Sequence, residues 1–509
     1  MRQRPFRRRW KRILAILGIV IVVLGALGTG AAAWLYRDAK QSNVGELAFA
    51  NRLAIPELAE PTIGSDGRKV FDLRFMAGET DLVDAGPSET WGLNGTYLAP
   101  TLRAGRGERV QVNVTNGVDE ETTVHWHGMH LPARMDGGPH QMIDPGETWS
   151  PSWTVDQPAA SLWFHPHLHG KTADHVYRGA AGMFIVDDPA ADVELPDTYG
   201  VDDIPLILQD KRFDDDGALD YSAPLGSTTG ILGDTILVNG TYDPYVEATT
   251  TLVRFRVLNA SNARVYNLGF TDDRRFWQVG SDSGLLERPH ETRRIQVAPG
   301  ERAEIIVPVE PGDEAVLRSF GPELGMGFNE RFNGGDDTFD ILQVRGAARL
   351  DESAPLPEEL ATIDRPDPSD AVTTREFSLQ GTEINGRDMD MERIDEVVTQ
   401  GTTEIWEVTN DHGNAHSFHP HLVHFAVLDV DGAPPPPELS GWKDTIYVPP
   451  HTTIRIIARF DGEPDPDTPY MYHCHMLAHE DDGMMGQFVL VEPGDDPGDE
   501  LRDMAGHEH

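Results

Sequence analysis

From about residue 68 onward, hydrophobic and polar positions alternate in short runs that end on Gly, Pro, Asn or Asp. Arg109-Val110-Gln111-Val112-Asn113-Val114 is one such run, and Thr453-Ile454-Arg455-Ile456-Ile457 is another. Alternation of period two places the apolar side chains on one face of a strand. Long stretches of helical period are few. The pattern therefore predicts an all-β chain built from sandwich or barrel domains.

The alternation repeats on a larger scale. An Asn-Gly turn recurs at Asn94-Gly95, Asn239-Gly240 and Asn385-Gly386, at near-equal intervals. Each is followed by a strand ending in Asn: Val112 to Asn116, Phe255 to Asn259, and Trp406 to Asn410. A proline turn then precedes a further strand, at Pro145-Gly146-Glu147, Pro299-Gly300-Glu301 and Pro449-Pro450-His451. Three signals in one order predict three related β domains, at 68–190, 195–346 and 372–493. Residues 41–67 and 347–371 read as linkers, the second containing the proline-rich stretch from Ser353 to Ser369, and 494–509 as an acidic tail.

The N-terminus breaks the pattern. Arg2, Arg4, Arg7, Arg8, Arg9, Lys11 and Arg12 are followed by an uncharged apolar segment from Ile13 to Tyr36. Residues 1–40 thus combine a basic region with either a secretory signal or a transmembrane helix, and the length favours an uncleaved anchor. Ala31-Ala32-Ala33 offers a cleavage site under the alternative. Either way the positive flank stays in the cytoplasm and the rest of the chain is exported.

The formal net charge of −42 excludes nucleic acid as a natural partner, because phosphate binding needs Lys and Arg. The lysines are Lys11, Lys40, Lys69, Lys171, Lys211 and Lys443 alone. So acidic a surface repels itself unless salt screens it, and a salty habitat is one explanation.

Cys474 is the only cysteine, so it forms no internal disulfide, and His473 and His475 flank it. In an extended segment both histidines face one side and the thiol the other, so one strand can serve two metal sites. Two His, one Cys and a weak axial Met are the ligands of a blue copper centre. Cys474, His479 and Met484 supply three of the four. His416, three residues before His419, is free to complete the set.

His-x-His pairs also stand in the other motifs: His125 with His127, His165 with His167, and His419 with His421. Together with His473 and His475 they give eight imidazoles that can converge. All lie in the first and third repeats; in the middle repeat Asn259 is followed by Ala260-Ser261-Asn262-Ala263. The site must then lie where the outer repeats meet. Imidazoles without carboxylates suit copper, zinc or nickel, and the separate thiolate set selects copper.

These motifs resemble the multicopper oxidases with three cupredoxin-like Greek-key domains. The resemblance covers residues 68 to 493 and is nearest to bacterial laccases and the copper-efflux oxidase. His165-Pro166-His167-Leu168-His169-Gly170-Lys171-Thr172, Gly441-Trp442-Lys443-Asp444-Thr445 and His479-Glu480-Asp481-Asp482-Gly483-Met484-Met485 carry it. It implies four copper ions. His416, Cys474, His479 and Met484 would hold type 1 copper, and His125 and His419 type 2. His127, His165, His167, His421, His473 and His475 would hold the type 3 pair. It further implies electron entry at Cys474 from a small phenolic or metal-ion donor, reduction of O2 to water, and Asp136 and Glu480 as proton-relay carboxylates.

Asp390 matches one ligand of the efflux oxidase's extra cuprous site. Its partner positions hold His412 and Asn414 instead of Asp and Met, and no methionine-rich insert is present. This tilts the expectation toward a laccase-like oxidase over a cuprous or ferrous metallo-oxidase. His130, His169, His175, His412 and His424 are expected to support ligands or lie at the surface. The alternatives from other classes are a cell-envelope scaffold, as in a related bacterial division protein that lost its copper ligands, and a copper-storage protein. All twelve ligand positions being filled argues against the first.

Overall fold

The computed structural model describes residues 33–191 and 193–495. Strands dominate, and each repeat is organised on the same pairing. Lys69–Val83 runs parallel to Arg109–Thr115, Asp203–Lys211 to Leu252–Asn259, and Ala371–Gln380 to Thr403–Asn410. Parallel neighbours cannot be joined by a tight hairpin, so in each repeat the chain crosses over between the two. The first repeat forms sheets of six and three strands, the middle one sheets of seven and six, and the third two sheets of five. Three apolar cores result, around Phe71, Val112 and Trp126, around Phe255, Leu268 and Ile305, and around Phe377, Trp406 and Ile456. The chain is all-β, with three cupredoxin-like domains.

The asparagines explain why the repeats are alike. Asn94, Asn239 and Asn385 all have positive φ, near +59°, +51° and +56°. Asparagine tolerates that conformation, and its amide can bond nearby backbone. Each side chain clamps the strand before it: Arg74, Ile207 and Ser378 donate backbone N–H to the Oδ1, and Asp72, Pro205 and Glu376 accept from the Nδ2. Asn116, Asn259 and Asn410 are equally matched. Each takes the N–H two residues on and donates to the carbonyl of Ile143, Val297 or Val448.

One expectation from alternation needs qualification. Arg109–Thr115 alternates between buried and half-exposed positions, but Leu252–Asn259 is buried almost throughout. Its polar face is covered by the first domain. Arg256 bonds Asp203, Glu304 and Ser161, while Arg254 bonds Glu304. The segments around the domains also lie on them. Asn51–Arg52 adds to a sheet of the middle domain beside Pro244–Thr250, and Leu360 and Ile363 are buried.

Among the described residues no helix is long and apolar enough to cross a membrane. The apolar stretch from 13 to 32 and the tail from 496 onward lie outside the described residues.

Candidate metal centre

Strand register brings the motifs together. His416–Pro420 pairs antiparallel with the end of Asp465–Cys474, setting Phe418 opposite Cys474 and His419 opposite His473. In the first domain His125 and His165 form an isolated bridge. After Cys474 the chain turns into the short helix Leu477–Asp481, which carries His479. The N–H of Met484 donates to the His479 carbonyl at 2.9 Å, and the N–H of Cys474 donates to the Met484 carbonyl at 3.0 Å. This returns the buried Met484 to the neighbourhood of Cys474.

The eight paired histidines are all buried and converge between the first and third domains. His127, His165 and His475 offer ring nitrogens within 4.8 Å of one another, as do His167, His421 and His473, and also His125, His127 and His419. The Nε2 of His473 is 3.1 Å from that of His167 and 3.3 Å from that of His421. Apart from them, Cys474 Sγ lies 3.6 Å from His416 Nδ1 and 3.7 Å from His479 Nδ1.

Outer partners fix which nitrogen faces inward. The Nδ1–H groups of His125, His165 and His419 donate to the carbonyls of Asp136, Pro166 and Asp444 at 3.0, 2.8 and 2.7 Å. The Nε2 of each is then a lone pair, buried and without a hydrogen-bond partner. His421 Nδ1 is 2.6 Å from Asp136 Oδ2. Glu480 stands 3.3 Å from His167 Nδ1 and 3.1 Å from His473 Nδ1. His127 is turned the other way: its Nε2 meets Asp444 at 3.0 Å and Thr445 at 2.9 Å, so the unpartnered Nδ1 faces the cluster.

Buried lone pairs of this kind are costly unless something satisfies them, and neutral imidazoles oriented by an outer carbonyl or carboxylate are good metal donors. Burial holds His127, His165, His167, His416, His419 and His421 well below the usual histidine range, and His475 down to about 3. Burial also pushes the Cys474 thiol up to about 12. Burial thus favours the uncharged form of these rings and of the thiol, and the donors fit copper: soft thiolate with imidazole on one side, imidazoles alone on the other.

Close packing near the cluster demands glycine. Gly137 has φ +79°, and a Cβ there would lie 1.7 Å from the Val124 carbonyl oxygen, so only glycine lets the backbone pass and aim Asp136 inward.

The five other histidines near the motifs stand apart from the triads. His130 pairs with Asp156, His424 lies 2.9 Å from the Gly128 carbonyl, His175 stacks on Trp91, and His169 and His412 are exposed. Asp390 is also exposed, beside Arg393.

Two residues without an assigned role in the motif reading prove central. Arg302, wholly buried, donates to Asp444 through both terminal nitrogens, and also to the carbonyls of Ser161, Gly300 and Asp282. It therefore joins all three domains behind His127 and His419. Burial alone would raise the Asp444 carboxyl; Arg302 and then His127 hold it well below the usual range. The available signal was a charged residue beginning the apolar strand after Pro299-Gly300-Glu301. The third omission is Thr228, whose carbonyl accepts from His479 Nε2 at 2.7 Å.

Comparison with known proteins agrees with this chemistry. Family models described as multicopper oxidase match residues 77–191 and 357–494. The multicopper oxidase mco of Staphylococcus haemolyticus (strain JCSC1435) is 35% identical over 445 residues, covering 87% of this chain and 93% of that protein. The cell division protein FtsP of Yersinia pestis is 37% identical over 410 residues, covering 79% and 85%. Among solved structures, a laccase-like multicopper oxidase, CueO, from the lignin-degrading bacterium Ochrobactrum sp. superposes with a TM-score of 0.79 at 36% identity, covering 86% of this chain and 100% of that one. Similarity over most of the length and histidine clusters suited to copper lead to one conclusion: the chain belongs to the multicopper oxidase family, oxidoreductases whose cofactor is four copper ions.

Proposed function

We propose that the chain is an exported, laccase-like oxidase held at the membrane by its N-terminal segment, with domains at 68–190, 195–346 and 372–493. It takes single electrons from phenolic or aromatic donors and reduces O2 to water. His416, Cys474, His479 and Met484 form the type 1 site, and His125 with His419 the type 2 site. His127, His165 and His475, with His167, His421 and His473, form the type 3 pair. The observation that carries this reading is Cys474, whose two covalent neighbours reach the two histidine triads while its own sulfur faces His416 and His479. Copper, when bound, accepts electrons one at a time and gathers the four that O2 requires.

The protein's own part is to place an electron path and deliver protons. From Cys474 the path runs through a few bonds of the backbone to either His473 or His475, and needs no diffusing carrier. O2 also takes up four protons on becoming two waters. Asp136 and Glu480 are buried against the triads without a cationic partner, unlike Asp444, which pairs with Arg302, and each stands behind two of the imidazoles. They orient those rings and are placed to pass protons inward. In Asp136→Asn and Glu480→Gln, reduction by donor in the absence of O2 should be unchanged, whereas reoxidation by O2 should slow by roughly 10²-fold. Equal reoxidation rates in wild type and both variants would remove the proton role.

The phenolic preference draws on the Ochrobactrum relative, which has oxidase activity towards lignin model compounds. A cuprous or ferrous metallo-oxidase is the second reading, favoured by the segment around Asp390: the N–H of Met389 donates to the Gly483 carbonyl at 2.9 Å, laying this acidic segment against the loop of Met484. The likeness to FtsP raises a non-enzymatic envelope role, which would not require a complete donor set. Dioxygen uptake by the copper-loaded full chain, with a phenol and then with cuprous or ferrous ions, ranks these readings. Uptake that is fastest with the phenol supports the laccase; blue protein without uptake from any donor favours the envelope role.

A further inference from the structure

An exposed apolar cluster lies at the point where the N-terminal segment enters the fold. Leu225 and Phe328 are 76% and 70% exposed, the highest values among the large hydrophobic residues described, and Trp34 is 61% exposed. Leu225 and Phe328 belong to one group, and Trp34 lies two positions before Tyr36, which joins that group. The Tyr36 ring stacks on Phe328 at 4.9 Å and meets the edge of Phe332 at 5.9 Å, with Arg331 4.5 Å over its face. Phe332 packs against the loop of Leu225, since a Cβ on Gly226 would lie 2.9 Å from its ring. Arg37 and Lys40 follow Tyr36 in sequence and are exposed, with Asp38 exposed between them, on a chain of net charge −42.

We infer that this face rests in the membrane–water interface, with lipid as its occupant. Exposed apolar side chains gathered in one place mark an interaction surface, whereas single ones do not. Trp and Tyr are the side chains that prefer the headgroup level, and basic residues complement anionic lipid. The uncharged stretch from 13 to 32 leads directly into Trp34. An anchor so placed holds the patch at a high effective concentration over the bilayer, so even weak affinity keeps it down. This inference rests on the anchored-oxidase reading above and adds an orientation to it.

The orientation reaches the metal centre. Thr228, three residues after Leu225, accepts through its carbonyl from His479 Nε2, and its N–H donates to Asn333, at the end of the turn Gly327–Asn333 that carries Phe328 and Phe332. The loop that touches the His479 ring is thus the loop that meets lipid. Donors dissolved in the membrane, such as alkylated hydroquinones, are the class this face would admit. Two hydroquinones would give four electrons and four protons to one O2, yielding two quinones and two waters.

Cys474 is the sole cysteine and is buried, so a cysteine introduced at the surface can be labelled selectively. The copper-loaded full chain in proteoliposomes would carry a fluorophore at Leu225→Cys, Phe328→Cys or, as a control on the third domain, Val372→Cys, where the native side chain is 65% exposed. Lipids bearing a shallow spin-label quencher should quench the first two labels and spare the third. Quenching of all three, or of none, overturns the inference. So does a label at 225 shielded from both lipid and aqueous quenchers, which would mean that the N-terminal segment itself covers the patch. This readout needs no turnover: protein that is quenched as expected but consumes no O2 sinks the oxidase reading and leaves the lipid contact standing. In active protein, Leu225→Asp with Phe328→Asp should lower turnover of a long-chain hydroquinone in vesicles by roughly tenfold while sparing a water-soluble phenol; equal effects on both donors would refute the donor class.

Discussion

Cys474→Ser is expected to abolish dioxygen uptake with every donor and to remove the strong visible absorption of a copper–thiolate bond. Serine offers a hard, protonated hydroxyl where a soft thiolate is needed, so copper is lost from the site that His416 and His479 share with Cys474. The fold should persist. The new hydroxyl is buried, which costs about 1–3 kcal/mol when unpaired, but the Ser417 N–H that now approaches Sγ at 3.5 Å remains available to it. His473 keeps its place in the strand and His475 its place just beyond the strand end, so the histidine triads should still bind metal. Elemental analysis should therefore show one copper fewer per chain, not four. Uptake that survives in this variant would mean that electrons enter elsewhere, and loss of all four ions would mean that the two sites do not fold independently.

The parts of this arrangement that were legible in the sequence are those set by local rules. Period-two alternation identified strands, and the recurring asparagines marked each repeat because one set takes a positive φ that asparagine tolerates and the other ties a strand end to backbone through its amide. The His-x-His spacing likewise announced convergence, although the pairs sit at strand ends and in loops instead of within strands: Ala160–Phe164 stops before His165, His416–Pro420 before His421 and Asp465–Cys474 before His475. It did not announce how the rings divide. His473 joins His167 and His421, whereas His475, just past the strand end, joins His127 and His165; that partition depends on how the first and third domains meet. The same holds for Arg254 and Arg256, which alternation would leave in solvent and which the domain contact buries against Asp203 and Glu304. Asp444 was visible within a motif, but its role behind His127 required knowledge of its partner, Arg302, from another domain.

Arg302→Met should be the most destabilising single change at the centre. The guanidinium is fully buried and makes five contacts, one to the first domain through the Ser161 carbonyl, two within its own domain, and two to Asp444 of the third. Methionine fills similar volume, so the packing defect is small. The electrostatic defect is not, because Asp444 keeps a buried carboxylate with only Ser283, Thr445 and a neutral His127 to answer it. Removing one member of a buried pair typically costs about 3–5 kcal/mol. The strain falls on the metal centre, since Asp444 orients His127 by its side chain and His419 by its carbonyl. The expected result is a lower thermal unfolding temperature together with loss of copper from the histidine triads, while the copper–thiolate absorption persists. Arg302→Lys should recover only part of this, because an ammonium restores the charge near Asp444 but cannot span three domains with a planar fork. Calorimetry beside elemental analysis separates the contributions. If Arg302→Met melts like the wild type and retains four coppers, the domains are held together by other contacts, and Asp444 needs no countercharge to position the ligands.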